Sequence, residues 1–205
     1  MSFVFALALL AAQTPASPAA SPAASEAVVE TAQGRFVIRL RPDLAPRHVQ
    51  HFVKTARAGG YDGTTFHRII PRGIIQGGDP LSKDPAKTVL YGTGGLGLLK
   101  AEFSARPMTR GSVAAVLRPS SKDSAGNQFF ICLSDQAALT GKFTIFGEVI
   151  SGMDVVEKIA AVKTVNDRPV QPVVMKKVTV EIPPAKPETK DAPKDAPKDA
   201  KKDAK

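Results

Sequence analysis

The sequence predicts a mainly β protein, a closed antiparallel barrel with one helix early and one late lying over its ends. Three observations predict it. Short apolar runs with strand-like alternation recur at close spacing, roughly seven to nine of them. Helical periodicity appears in just two stretches, after Pro46 and after Met153. Strand and helix do not alternate along the chain, so a parallel sheet of βαβ units is not indicated.

Each element has its own warrant. Ala27 to Leu40 reads as a hairpin: Phe36, Ile38 and Leu40 alternate with Arg35, Val37 and Arg39, and Gln33-Gly34 supplies the turn. The first helix begins in Pro42-Asp43-Leu44-Ala45-Pro46, with Asp43 as candidate cap and Pro46 tolerated in the first turn. Val49, Phe52, Val53 and Ala56 form its apolar stripe, and Gly59-Gly60 ends it. Asp62-Gly63 turns the chain into a strand from Phe66 to Ile70; Pro71-Arg72-Gly73 breaks it, and Ile74-Ile75-Gln76 resumes. Gly77 to Lys100 is glycine-rich and reads as a long surface loop; it lacks the Gly-Lys-Ser/Thr ending of a phosphate-cradling loop. Further strands are expected at Gly111–Leu117, Gln128–Leu133 and Thr144–Ile150. The second of these is apolar on both faces, hence central. Met153–Val162 is the second helix, and Val178, Val180 and Ile182 mark a last strand.

The ends differ in composition from this middle. Phe3–Ala12 is an apolar run too short to span a bilayer and suited to the hydrophobic part of a secretory signal, although Met1-Ser2 carries no positive charge. Residues 1–12 are therefore read as a signal peptide and 13–25 as an Ala/Pro/Ser linker. Residues 26–182 are the folded domain, and 183–205 are a Lys/Asp/Ala/Pro tail expected to be disordered. The expected location is extracytoplasmic and periplasmic, with the cytoplasm as the alternative.

The chain of 205 residues carries a net charge of +9. The tail, with seven lysines against five acids, holds only a small part of it. Basic residues do not cluster with aromatics, so no nucleic-acid partner is expected. A single cysteine, Cys132, permits no internal disulfide and sits in an apolar run, where it reads as a small buried hydrophobe. No metal site is expected from one cysteine and His48, His51 and His67; the first two share a helix and read as surface residues.

Chemistry is expected where Phe66–Pro80 meets Gly126–Cys132. Arg68 and Gln76 stand in otherwise apolar segments, and a buried or half-buried arginine is costly unless something uses it. From the residues alone, Arg68 also reads as an ion-pair partner at the barrel mouth, and Phe129 and Phe130 as core.

Six words stand in order along the chain: Phe66-His67-Arg68-Ile69-Ile70-Pro71, Gln76-Gly77-Gly78-Asp79, Ala101-Glu102-Phe103, Arg110-Gly111, Ala125-Gly126-Asn127-Gln128-Phe129-Phe130-Ile131 and Phe146-Gly147-Glu148-Val149. Through them the segment from Val28 to Ile182 resembles the cyclophilin-type peptidyl-prolyl cis-trans isomerases. The resemblance implies a closed eight-stranded antiparallel β-barrel capped by two α-helices, and rotation of the peptide bond before proline. It implies proline-containing polypeptides as partners, a monomer, no stable membrane insertion and no cofactor. It assigns Arg68 as the catalytic residue. Gln76, Phe130, Leu139, Ile74, Val116 and Phe143 bind substrate, with Gln76 also holding Arg68 and Phe130 forming the pocket floor. A cyclophilin-like module that binds Pro-containing segments or one dedicated partner with little turnover is the alternative.

Against the family pattern this chain departs at the pocket. Gly73 stands where phenylalanine is usual, with Arg72 beside it, so one wall looks missing. Ala138 takes the place of tryptophan, Phe143 of histidine and Val116 of a small alanine. The lost indole implies weak cyclosporin binding, which an inhibition assay checks.

Overall fold

The computed structural model describes residues 25–181; the signal-like segment, most of the linker, the tail and Ile182 lie outside the described residues. The first part of the chain gives β1 (Glu26–Thr31), β2 (Gly34–Leu40), α1 (Pro46–Arg57), β3 (Thr65–Ile70) and β4 (Ile74–Gly77). Then come β5 (Ser112–Ala115), β6 (Phe129–Cys132), β7 (Ile145–Ser151) and α2 (Met153–Ala160). A small hairpin, β8 (Thr164–Val165) and β9 (Arg168–Pro169), precedes β10 (Val173–Glu181). Eight strands close into a barrel in the order β1-β10-β3-β4-β6-β5-β7-β2, and every neighbouring pair is antiparallel. This is the barrel that the alternation of apolar residues predicts.

The barrel fills as a period-two pattern requires. Phe36, Ile38 and Leu40 of β2, with Phe66, Ile75 and Ile131, are fully buried inside. α1 plugs one end: Phe52 packs on Tyr61, Phe146 and Phe129 with ring centroids 4.8, 5.5 and 5.9 Å apart. α2 presses Val155 against the first hairpin. A Cβ on Gly34 would lie 2.9 Å from Val155 Cγ2, at a backbone φ of +127° that side chains rarely adopt, so only glycine fits this turn.

Several expectations need correction. Asp43 does not cap α1; its carboxylate pairs with Arg41, with bonds of 2.9 and 2.6 Å. Glu102 does the capping from across the chain. It accepts from the backbone N–H groups of Arg47 and His48 at 3.2 and 3.0 Å, satisfying donors that a helix start leaves open. Nor are His48 and His51 surface residues. His48 is buried with its Nδ1 2.6 Å from Glu102, and His51 Nε2 lies 2.7 Å from Asn127 Oδ1.

The glycine-rich stretch wraps around one buried carboxylate. Asp79 accepts from the N–H groups of Leu81 at 2.8 Å, Gly92 at 2.6 Å and Gly94 at 3.1 Å. Full burial of Asp79 is thus offset by charge-assisted bonds that shape the loop. The β8–β9 hairpin was not predicted.

Candidate functional site

The site lies on the outer face of the barrel wall, and strand register builds it. Alternation in β6 sends Phe129 and Ile131 into the main core, and Phe130 and Cys132 to a second apolar cluster. Pairing then puts Arg68 of β3 opposite Gln76 of β4, Gln76 opposite Phe130 of β6, and Phe130 opposite Ala114 of β5. Cross-strand neighbours stand about 4.5–5.5 Å apart, so a cation, an amide and an aromatic ring form one continuous row. A shift of one residue in β4 would turn Gln76 into the barrel and bring Ile75 out.

Beside this row opens a cavity of about 360 Å³ lined by Arg68, Gln76, Phe130, Ile74, Val116 and Phe143, with Leu139 from the 3₁₀ turn Ala137–Leu139. The seven residues expected from the sequence thus surround one pocket. Phe143 stands edge-on to Phe130, centroids 5.2 Å apart at 90°. Ile70, Gly73, Leu117 and Gln136 complete the lining. Of these, sequence reading places only Gly73 at the pocket; Ile70 and Leu117 read as strand residues, and Gln136 is not singled out. Ala138 is exposed and does not line the cavity.

The Arg68 side chain is 47% exposed and makes an ion pair, as the residues alone suggest. One expectation about it is corrected: among the described residues no hydrogen bond joins it to Gln76. The Gln76 amide donates to Gln128 Oε1 at 3.0 Å, and Gln128 donates in turn to Gly94 O at 2.7 Å. Arg68 instead faces Asp167, with Nε 3.6 Å from Oδ2. Asp167 was missed although Asn166-Asp167 is a readable two-residue turn signal.

Gly73 leaves less of a gap than its identity suggests. A Cβ there would sit 3.0 Å from Ile70 Cγ2, so Ile70 already leans across that wall. Cys132 is no nucleophile: burial pushes its thiol up to about 12. Burial lowers the His67 imidazole, which stands behind Gln76 with Nε2 3.4 Å from the Gln76 amide nitrogen. Arg68 is therefore the charged side chain of the cavity wall, set against an apolar pocket.

Comparison with known proteins bears on the family and the fold. Residues 27–180 match the family model described as cyclophilin type peptidyl-prolyl cis-trans isomerase/CLD. A probable peptidyl-prolyl cis-trans isomerase of Brucella suis is 42% identical over 137 residues, covering 64% of this chain and 69% of that protein. The peptidyl-prolyl cis-trans isomerase CYP18-2 of Arabidopsis thaliana is 34% identical over 153 residues, 74% of this chain and 91% of its own. In structure, the chain is similar to a Cryptosporidium parvum cyclophilin type isomerase crystallised in the presence of the dipeptide Ala-Pro. The TM-score is 0.69 at 24% identity, covering 76% of this chain and 98% of that one.

Proposed function

This chain belongs to the cyclophilin-type peptidyl-prolyl cis-trans isomerases, and on that footing we propose that it isomerises Xaa-Pro bonds of exported polypeptides, with Arg68 as the catalytic group and with reduced turnover. The observation that carries the site is the row Arg68–Gln76–Phe130 along one apolar pocket. Amide resonance sets a barrier of about 18–20 kcal/mol to rotation. Twisting the bond breaks that resonance and localises a lone pair on the prolyl nitrogen. A donor aimed at that nitrogen stabilises the twisted amide more than either planar form. The guanidinium suits the task, being permanently protonated and rigidly forked.

The pocket grips the proline ring while the preceding residue rotates. Phe130 is its floor, Ile74, Leu139 and Val116 its sides, and Phe143 its aromatic edge. Gln76, held by Gln128, offers its amide to the substrate backbone. The presence of the dipeptide Ala-Pro in crystals of the Cryptosporidium protein supports proline-containing partners. Reduced turnover is inferred from Gly73, which takes away aromatic surface that would face the ring. Export is inferred from the apolar run Phe3–Ala12; the N-terminal residue of the protein purified from its own cells tests it, and an intact Met1 would contradict it.

The test of the catalytic reading is Arg68→Ala in an isomerisation assay beside a peptide-binding measurement. Losing one preorganised donor costs about 10²–10³ in rate, whereas proline-peptide affinity depends on the apolar pocket and stays close to wild type. Unchanged turnover would favour the alternative, a peptide-binding module. The observation on that side is the ion pair that engages Arg68 with Asp167.

A further inference from the structure

We propose that Asp167 is a positioning residue for Arg68, holding the guanidinium at the border of the proline pocket with its terminal fork toward the substrate. The inference rests on the reading of Arg68 as the catalytic group.

Four observations carry it. Asn166 and Asp167 form the two-residue turn between Val165 and Arg168, and both have left-handed φ angles, 49° and 64°. Residues with side chains adopt that region at a penalty, and glycine is the usual occupant of the second turn position. A glycine there would relieve the backbone but remove the carboxylate. Second, the turn is bolted to the catalytic strand: the N–H of Ile69, next to Arg68, donates to Asp167 O at 2.7 Å. The backbone of Asp167 is therefore tied beside Arg68, with its carboxylate in reach of the guanidinium. Third, it is the Nε edge of Arg68 that faces Asp167 Oδ2, at 3.6 Å. That contact leaves the two terminal nitrogens for another partner.

The fourth observation is the surroundings. A polar cavity of about 370 Å³, lined by Arg68, Gln76, Asn166 and Asp167, lies on one side of the arginine. The apolar cavity, which Arg68 and Gln76 also line, lies on the other. An exposed arginine without restraint samples both. Attraction to Asp167 biases its stem to one course along the border. Gln76 supplies no such restraint: its amide NH2 donates to Gln128 Oε1, and among the described residues no hydrogen bond joins it to Arg68.

Asp167→Asn tests this in the full-length protein. Asparagine tolerates left-handed φ and keeps the backbone bond to Ile69, so the substitution removes charge and little else. Both side chains are about half exposed, so the expected loss is modest: kcat/KM falls about three- to fivefold at low ionic strength. The loss appears in kcat, with proline-peptide affinity within about twofold of wild type. Between roughly 0.02 and 0.5 M salt the wild type declines toward the variant while the variant stays flat, because salt screens an exposed pair. Asp167→Glu restores the salt dependence. In an Arg68→Ala background, Asp167→Asn has no further effect, as coupling through Arg68 requires.

Wild-type kcat at low salt in Asp167→Asn, or an equal loss in the Arg68→Ala background, overturns the proposal. The two readings fail separately. If Arg68→Ala keeps full turnover, the catalytic assignment falls and this one with it. If Arg68→Ala collapses and Asp167→Asn is silent, only the role of Asp167 falls.

Discussion

At the scale of the residue, the pocket turns on what replaces an aromatic wall. Gly73 has an ordinary backbone conformation, so a side chain is not forbidden there by φ, and what it meets is Ile70, 3.0 Å from an added Cβ. That contact is tight, but Ile70 is half-buried and faces the cavity, so it has room to give. Gly73→Phe should therefore rebuild the wall. Burying a phenyl ring against bound proline contributes about 1.5–3 kcal/mol. If half of that gain persists in the twisted state, kcat/KM rises about four- to twelvefold. The measurement is the isomerisation rate on a proline tetrapeptide for both proteins. A rate equal to or below wild type, with the fold intact, would show that Ile70 already does the work of the missing ring.

At the scale of the element, one helix start depends on a residue far away in the chain. Glu102 accepts from two N–H groups at the head of α1 and from the His48 ring. Burial pushes its carboxyl up, but the His48 side chain and the two backbone donors together outweigh that and hold it below its ordinary value. The helix supplies no cap of its own, since Ala45 occupies the cap position. Glu102→Gln keeps one acceptor and loses the charge, and should destabilise the fold by about 1–3 kcal/mol. Denaturant unfolding measures this; a loss below about 0.3 kcal/mol would mean that water caps the helix equally well. This contact also shows what the sequence conceals. Strands and helices were legible because their periods repeat over several residues, as in Phe36-Val37-Ile38-Arg39-Leu40. The row Arg68–Gln76–Phe130 was legible as three residues within matching words, while their side-by-side placement comes from strand register. Caps and ion pairs made across the fold leave little local trace: Asp43 looked like the cap because it stood next to the helix, and Asp167 and Gln136 were not singled out. β8 and β9, at two residues each, are too short for alternation to show.

At the scale of the whole molecule, the buried ionisable groups set one direction for acid sensitivity. His48 and His67 are both lowered, chiefly by burial; Glu102 pulls His48 the other way and Asp79 pulls His67 the other way, but neither prevails. In the unfolded chain each histidine takes up a proton near its ordinary value of about 6.5. Between that value and the lower folded one, the unfolded state binds more protons, so stability falls as pH falls. Each group contributes a slope of at most about 1.4 kcal/mol per pH unit. Glu102 acts in the same sense lower down. Its folded value is depressed, so its contribution is complete above the ordinary carboxylate range and is lost as pH drops through the folded value. The barrel should accordingly be most stable around neutral pH, begin to lose stability below about pH 6.5, and lose it further below about pH 4.5; above about pH 8.5 the Cys132 thiol, raised by burial, acts in the opposite sense. Unfolding free energies measured in denaturant at pH 8, 7, 6 and 5 check the upper part of this curve. Replacing His48 by glutamine removes one of the two imidazoles, so the slope between about pH 6.5 and 5 should fall to about half. A flat profile from pH 8 to 5, or stability rising toward acid, would mean that both histidines are protonated in the folded barrel. The attraction of His48 to Glu102 would then outweigh its burial.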